Sequence, residues 1–374
     1  VRIAIDARVI SSRRSGVGEY TYQLLRHFPV IDRDLEYFLF LKKSSFEGER
    51  IKELSSSFKI EKISSYEGGN FLNFLKTHGE LPVRLLFLKP NLFHSPGPIA
   101  PLFKTCPTIL TIHDLSFLKI DGIFGKFQKS YYKTFVPYIA KRVDKIITVS
   151  NNAAMDIVEL LNIPEEKIRV IYNGVDERFS SGRSSERENV LKKRFGLNDY
   201  ILFLGVLEPR KNVSRLIRAY SALSSELKHY KLVIAGGHGW LYEEMYSLVK
   251  ELSLQNRVIF TGMVCDEELP DLYRGASLFV YPSLMEGFGI PPLEAMACGI
   301  PVIASNTSSF PEVLCDAALL VNPLNEEEIT SAITGILTDK EVYQNLVNKG
   351  LKRASLFSWK ESARRTLDVY RELL

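Results

Sequence analysis

The chain has 374 residues, 45% of them hydrophobic and 25% charged, and a net charge of +4. That is two to three times the length of one ordinary domain, so two hydrophobic cores are expected, and a disordered or fibrous chain is excluded. The charge is too small for a dedicated nucleic-acid binder, and no apolar stretch approaches the roughly 20 residues that span a bilayer.

The distribution of charge says more than its sum. Residues 1–177 carry 25 Lys/Arg against 20 Asp/Glu, whereas residues 178–374 carry 23 against 24. The basic excess in the first half points to an anionic partner there. Cys106, Cys265, Cys298 and Cys315 show neither CxxC spacing nor His-rich surroundings. That argues against a zinc site or a disulfide framework, and a reducing cytoplasm is expected. The opening VRIAIDARVI alternates like a buried strand and has no cleavage-site pattern, so no secretory leader is expected.

Short apolar runs rich in β-branched residues alternate with segments of helical period, the mark of βαβ units and parallel sheets. In the first half the strands are expected at Arg2–Ala7, Tyr37–Leu41, Asn91–His94, Thr108–Ile112 and Lys145–Val149. The polar stretch Arg178–Asn198 reads as a connection plus a short helix. A second series follows at Tyr200–Gly205, Lys231–Ala235, Arg257–Thr261, Ser277–Tyr281, Pro301–Ala304 and Ala318–Val321, with helices such as Val213–Leu223 and Tyr242–Leu252 between. The pattern predicts two doubly wound α/β domains in tandem. The last helical run, Trp359–Leu374, comes after the second series is complete, and its simplest reading is a helix packed on domain two.

In such sheets ligands bind beyond the carboxyl ends of the strands, often at helix N-termini. Four loops there carry chemistry. The first, Ser11-Ser12-Arg13-Arg14-Ser15-Gly16-Val17-Gly18-Glu19, precedes a helix expected at Tyr20–Phe28. Gly16 and Gly18 permit close backbone approach to a phosphate or sugar, but without a full GxGxxG they do not point to NAD. The second, Thr111-Ile112-His113-Asp114, places a His-Asp step at a strand end; taken alone, a satisfied structural histidine is the simpler reading. His94 sits similarly in a more generic turn.

The third loop, Gly205-Val206-Leu207-Glu208-Pro209-Arg210-Lys211-Asn212, sets two cations before a helix that Asn212 can cap. Arg210 offers a planar fork and Lys211 a point charge, a combination suited to a diphosphate. The fourth runs from Tyr281 to Gly299, with Pro291 and Pro292 fitting the first positions of a helix and Gly299 its end. Glu286 falls in the loop and Glu294 in the first turns of that helix. Two carboxylates flanking open amides at Gly287 and Gly289 form a nest for a hydroxylated ligand. Glu294 alone reads equally as a carboxylate stabilised by the helix dipole.

Glu286 and Glu294, within EGFGIPPLEAMACGIPVIASNTSSFPEV, resemble the E-x7-E signature of retaining glycosyltransferases of the GT-B fold, in particular glycosyltransferase family 4. Arg210-Lys211-Asn212, the Gly16/Gly18 loop, Thr111-Ile112-His113-Asp114, Thr148-Val149-Ser150 and Asn173-Gly174-Val175-Asp176 fit the same family, so the resemblance covers essentially the whole chain. It implies two Rossmann-like domains, 1–177 with 359–374 and 178–358, facing a cleft, with the terminal helix crossing back to the first. It implies further that Arg210 and Lys211 neutralise the donor diphosphate and that Glu286 binds the transferred sugar. Gly205, Gly287, Phe288, Gly289 and Ile290 would contribute from the backbone, and Glu294 would bind the ribose. Met263 and Val264 would meet the nucleobase, Gly16 and Gly18 the phosphates or acceptor, and His113 the sugar.

No DxD motif is present, in keeping with a reaction that needs no divalent metal or other cofactor. The branch of the family that DAR…SGVGEY resembles uses GDP-mannose to build polysaccharide, with UDP-glucose or another UDP-hexose the alternative donor. The acceptor is expected to be a saccharide or a lipid-linked saccharide. The aromatic and basic run Phe124–Lys145, with Lys126, Lys129 and Lys133 on one face, reads either as a core-packed amphipathic helix or as a peripheral contact with anionic membrane. A B-type epimerase and a phosphorylase-like enzyme share the two-domain plan. The E-x7-E context and the lack of a pyridoxal-binding lysine motif count against them, and the intact charged set counts against a non-catalytic binding module.

Overall fold

The computed structural model describes residues 1–10, 15–42, 49–63, 74, 76–120, 125–182, 191, 193–239 and 242–374, apart from the side chains of Glu49 and Lys126. Ser11, Ser12, Arg13 and Arg14 of the first loop, Phe124, and 183–190 of the connection lie outside the described residues.

The chain forms two compact units, Val1–Gly174 with Ser358–Leu374, and Val175–Phe357. The expected boundaries at 177 and 359 shift because residues 175–178 are tied into the second unit. There the Val175 amide donates to the Phe357 carbonyl, and Arg178 pairs with Asp266 at 3.2 Å.

The first unit runs β1 (Arg2–Asp6), α1 (Gly16–Ile31), β2 (Glu36–Lys42), α2 (Glu49–Ser55), β3 (Lys59–Ile63), α3 (Leu81–Leu88) and β4 (Leu92–Ser95). It continues with β5 (Thr108–Ile112), α4 (Ser116–Lys119), α5 (Lys126–Arg142), β6 (Lys145–Thr148), α6 (Asn151–Leu161) and β7 (Ile168–Val170). Its seven strands, all parallel, lie in the order β3-β2-β1-β4-β5-β6-β7. Central strands such as β5 are buried at every position, which is why they read as β-branched and aliphatic runs without a charge.

The outer strands β3 and β7 were not expected: KIEKI is charged and half exposed, and IRV is three residues long. Helix α1 begins four residues before the expected Tyr20 because Ser15 caps it, its hydroxyl accepting from the Gly18 amide.

The second unit runs β8 (Tyr200–Leu204), α7 (Val213–Ser221), β9 (Lys231–Ala235), α8 (Glu243–Glu251), β10 (Val258–Gly262), α9 (Leu269–Arg274) and β11 (Leu278–Tyr281). It ends with α10 (Ile290–Ala297), β12 (Val302–Ser305), α11 (Phe310–Leu314), β13 (Leu319–Val321), α12 (Glu326–Thr338) and α13 (Lys340–Ala354). Its six strands lie in the order β10-β9-β8-β11-β12-β13.

The last helix, α14 (Trp359–Arg371), belongs to the first unit and not to the second. It turns Trp359, Ala363, Leu367 and Tyr370 inward, and Tyr370 meets Phe28 of α1 edge-on at 5.7 Å. The Tyr370 hydroxyl sits 2.7 Å from Nδ1 of the buried His94 on β4.

Helix α5 does not present its aromatic residues as one open face. Tyr131 and Phe135 pack against Phe74 and His78, Tyr132 meets Phe117, and the Tyr131 hydroxyl lies 2.7 Å from His78 Nε2. Val136, Ile139 and Ala140 continue the same side into the core. The core-packed reading of this helix holds for those residues.

Candidate active site

In the second unit the strand order reverses between β8 and β11, and such a switch point opens a crevice at the carboxyl ends of the two strands. The loops leaving these strands carry Arg210 and Lys211 on one side and Glu286 on the other. Pro209–Lys211 forms a 3-10 turn, ended by Asn212 in the left-handed region at φ 59. Asn212 does not cap α7, contrary to expectation, because a capping side chain needs an extended backbone that Asn212 lacks. Its amide instead donates to the carbonyls of Pro282 at 3.0 Å and Pro323 at 2.6 Å, fastening the loop after β8 to those after β11 and β13.

Glu286 gathers the site. Its Oε1 accepts from Lys211 Nζ at 2.5 Å, Ser283 Oγ at 2.8 Å and the Tyr281 hydroxyl at 3.1 Å. Its Oε2 accepts from Arg210 at 3.0 Å. Burial pushes this carboxyl up, but Arg210, Lys211 and the hydrogen bonds from Lys211 and Ser283 outweigh it and hold the group at about 2. Burial pulls the Lys211 ammonium down, and so does Arg210, while Glu286 works against both. Arg210 is shared, its Nε also donating to Glu208 at 3.0 Å.

Beyond Glu286 the chain turns into α10. Gly287, Phe288 and Gly289 are buried, and around them the hydroxyls of Ser308 and Ser309 donate to the Glu286 carbonyl and that of Ser309 also to the Phe288 carbonyl. The Phe288 ring packs edge-on against Phe357. Gly289 has φ 97, and a β-carbon there would strike the Phe310 ring at 2.8 Å. Ile290 opens the helix, with Pro291 and Pro292 behind it. Glu294 is buried on α10 and accepts from the Tyr273 hydroxyl at 3.0 Å.

Gly205 offers no free donor at the end of β8, because its amide donates to the Ala235 carbonyl at 2.9 Å and continues the pairing with β9. Met263 is half exposed and Val264 partly buried, just past the end of β10 at the edge of the sheet. Among the described residues no three His, Cys, Asp or Glu side chains converge as metal ligands would.

On the first unit Gly16 is exposed, with open space where a side chain would stand. Gly18 is different: it is buried, its amide serves the Ser15 cap, and a β-carbon would come within 2.9 Å of the Val9 carbonyl oxygen. Its glycine answers to packing inside the unit. His113 donates from Nε2 to the Pro96 carbonyl at 2.9 Å and meets the Tyr20 ring edge-on at 4.7 Å. Burial lowers its affinity for a proton, so the ring is neutral and its Nδ1 is an acceptor, as assigned from this bond. Asp114 forms no dyad with it; its Oδ1 accepts from the Ser116 amide at 2.9 Å. His94, fixed between Tyr370 and Thr111 and pushed down to about 3 by burial, is structural.

The residues missed from sequence are the hydroxyl donors Tyr281, Ser283 and Tyr273. The first two stand inside the Tyr281–Gly299 motif, and only their placement around Glu286 reveals what they do.

The profile of Glycosyl transferases group 1 matches residues 187–353, and that of Glycosyltransferase Family 4 matches residues 14–179. The O-antigen chain mannosyltransferase B of Escherichia coli is 30% identical over 100% of both chains. Sucrose-phosphate synthase of Thermosynechococcus elongatus has a similar fold, with a TM-score of 0.80 at 20% identity over 100% of this chain and 98% of that one. So has HepE of Anabaena, solved with UDP and glucose, at a TM-score of 0.78 and 19% identity over 99% of each chain.

Proposed function

The chain belongs to the group 1 and family 4 glycosyltransferases, of GT-B fold, and from that premise we propose that it moves mannose from GDP-mannose to a saccharide or lipid-linked acceptor in polysaccharide assembly. The proposal includes retention of anomeric configuration and no requirement for a divalent metal. One observation carries it: Arg210 and Lys211 converge on Glu286 in the crevice between β8 and β11. The relative named as an O-antigen chain mannosyltransferase supports mannose. HepE, solved with UDP and glucose, supports a UDP-hexose as the second reading.

In this reading the bond from the sugar C1 to the diphosphate oxygen breaks, and its electron pair leaves on that oxygen. Arg210 and Lys211 are charged before the charge develops and sit in a desolvated site, where fixed cations act most strongly. The acceptor oxygen bonds to C1 on the face the diphosphate leaves, and its proton passes to a phosphate oxygen of the departing group. Oε1 of Glu286 already accepts three hydrogen bonds, whereas Oε2 accepts one and keeps a lone pair for a sugar hydroxyl.

Glu294 takes the ribose hydroxyls, and the backbone at Met263 and Val264 meets the base. Gly287, Phe288, Gly289 and Ile290 act through the opening of α10. His113, neutral with Nδ1 as acceptor, takes a sugar hydroxyl proton in a hydrogen bond and is not the obligate base. Gly16 is the first-unit glycine left to approach phosphate or acceptor.

The test is donor hydrolysis with GDP-mannose, UDP-glucose and UDP-galactose, each with and without EDTA. GDP-mannose turnover indifferent to EDTA supports the reading. Turnover of UDP-hexoses alone moves it to the second, and loss with EDTA removes metal independence.

A further inference from the structure

The exposed apolar side chains of the first unit are not scattered. Helix α3 buries Leu81 and Leu85 in the core and turns Val83, Leu86 and Phe87 outward, with Phe87 85% exposed. Phe103, on the loop from β4 to β5, is 73% exposed. Phe127 and Tyr138 stand out from the two ends of α5.

These elements form one layer. Leu81 and Leu85 of α3, Ala100 of the loop, and Val136, Ile139 and Ala140 of α5 all enter the same core cluster against the sheet. Pro101, Leu102 and Lys104 line a small depression with Ile139, Arg142 and Val143, which seats the loop against the C-terminal end of α5. The outward sides of α3, the loop and α5 therefore make up a single face of the unit.

That face is also where the charge lies. Residues 81–142 hold nine Lys/Arg and two Asp/Glu, and of the nine Arg84, Lys104 and Lys119 pair with Glu80, Asp144 and Asp156 outside that stretch. Exposed Lys89, Lys133, Lys141 and Arg142 stand among the apolar groups, and Arg142 stacks over the Tyr138 ring at 5.3 Å. Large apolar groups left this open on one face of a domain mark an interaction surface. A second copy meeting the same patch two-fold would set like charge against like charge. An anionic bilayer satisfies both features: phenylalanine and leucine enter the acyl boundary while lysine and arginine stay at the headgroups.

We propose that the outer face of α3, with Phe103 and the outer side of α5, is a docking surface for an anionic lipid bilayer. It deepens the reading of a lipid-linked acceptor by naming the surface on which that acceptor is met. The surface differs from the one expected in the sequence, since Tyr131 and Phe135 are packed inward and α3 supplies the apolar groups.

The experiment is flotation of the full chain with phosphatidylcholine vesicles, with and without 30 mol% phosphatidylglycerol (roughly the anionic share of a charged leaflet). The wild-type protein should float with the anionic vesicles and not with phosphatidylcholine alone. Phe87→Ser with Phe103→Ser should cut the bound fraction about five-fold, as should Lys89→Glu with Lys141→Glu, with thermal unfolding and donor hydrolysis unchanged. Tryptophan emission of Phe103→Trp should shift to the blue on anionic vesicles only. Flotation unaffected by the Phe87/Phe103 pair overturns the proposal. So does self-association that the same pair abolishes while no vesicle is bound. Flotation without any turnover would remove the proposed function and leave this surface standing.

Discussion

Lys211 Nζ lies 2.5 Å from Glu286 Oε1 and 2.7 Å from the Tyr281 hydroxyl, so one ammonium joins the loop after β8 to the end of β11 and the loop beyond it. Glu286 is at once the counter-ion that makes two buried cations tolerable and the group a diphosphate must share them with. Replacing it with Gln leaves Arg210 and Lys211 without that charge. Breaking a buried pair from one side costs about 3–5 kcal/mol. Glu286→Gln should therefore unfold at lower denaturant, and inorganic pyrophosphate should raise its melting temperature more than that of the wild type. A smaller pyrophosphate shift in the variant would contradict the shared-cation arrangement.

The same carboxylate gives the protein a signature in acid. Its folded value of about 2 lies below the ordinary 4.5, so its stabilisation is full above about 4.5 and is lost as pH falls towards 2. Over that window the contribution is about 3 kcal/mol. Unfolding free energies measured from pH 5 to pH 2.5 should fall more steeply for the wild type than for Glu286→Gln. Parallel curves would mean that the group is not held down by its cations.

Lys211→Met keeps much of the buried stem and removes the charge. Glu286 retains Arg210, Ser283 and Tyr281, so folding should lose less than in Glu286→Gln, where two cations lose their shared charge. Turnover should fall by about 100-fold or more, the scale for losing one preorganised electrostatic partner in a desolvated site. Single-turnover donor cleavage beside a denaturant midpoint separates the two effects. A variant that turns over normally removes Lys211 from the chemistry.

The sequence showed the sheets most clearly where strands are central. Tyr200–Leu204 and Thr108–Ile112 are runs of aliphatic, aromatic and β-branched residues without a charge because helices cover both faces. Lys59–Ile63 escaped because an outer strand can carry charge, and Ile168–Val170 because three residues make no period. The charged members of the site were legible as Arg210, Lys211, Glu286 and Glu294. What they touch was not, since Tyr281, Ser283 and Tyr273 are ordinary residues until the strands bring them together. What Gly18 and Gly205 meet inside their units was hidden for a related reason. A glycine that lets a ligand approach and one that lets the Val9 carbonyl approach look the same in one dimension, and nothing in the sequence shows that the Gly205 amide is spent on Ala235. Helix α3 went unread because LPVRLLFL is apolar at every position but Arg84, and only its placement separates Leu85 from Phe87.

Asn212 was expected to cap the start of a helix and instead holds two distant carbonyls, which gives the last prediction. In Asn212→Ala the Pro282 and Pro323 carbonyls lose a donor, and alanine must also adopt φ 59. Leaving buried acceptors unsatisfied costs about 1–3 kcal/mol, and an alanine in the left-handed region adds about 1 kcal/mol. Asn212→Gly removes the bonds and spares the backbone, so it should lose less. Asn212→Asp should lose more than Asn212→Gly, because a carboxylate oxygen replaces the donor against two carbonyl oxygens. In denaturant midpoints, a clear loss in Asn212→Gly, with Ala and Asp losing more, would establish the bridge, whereas an Asn212→Gly as stable as the wild type would mean that the backbone conformation alone matters.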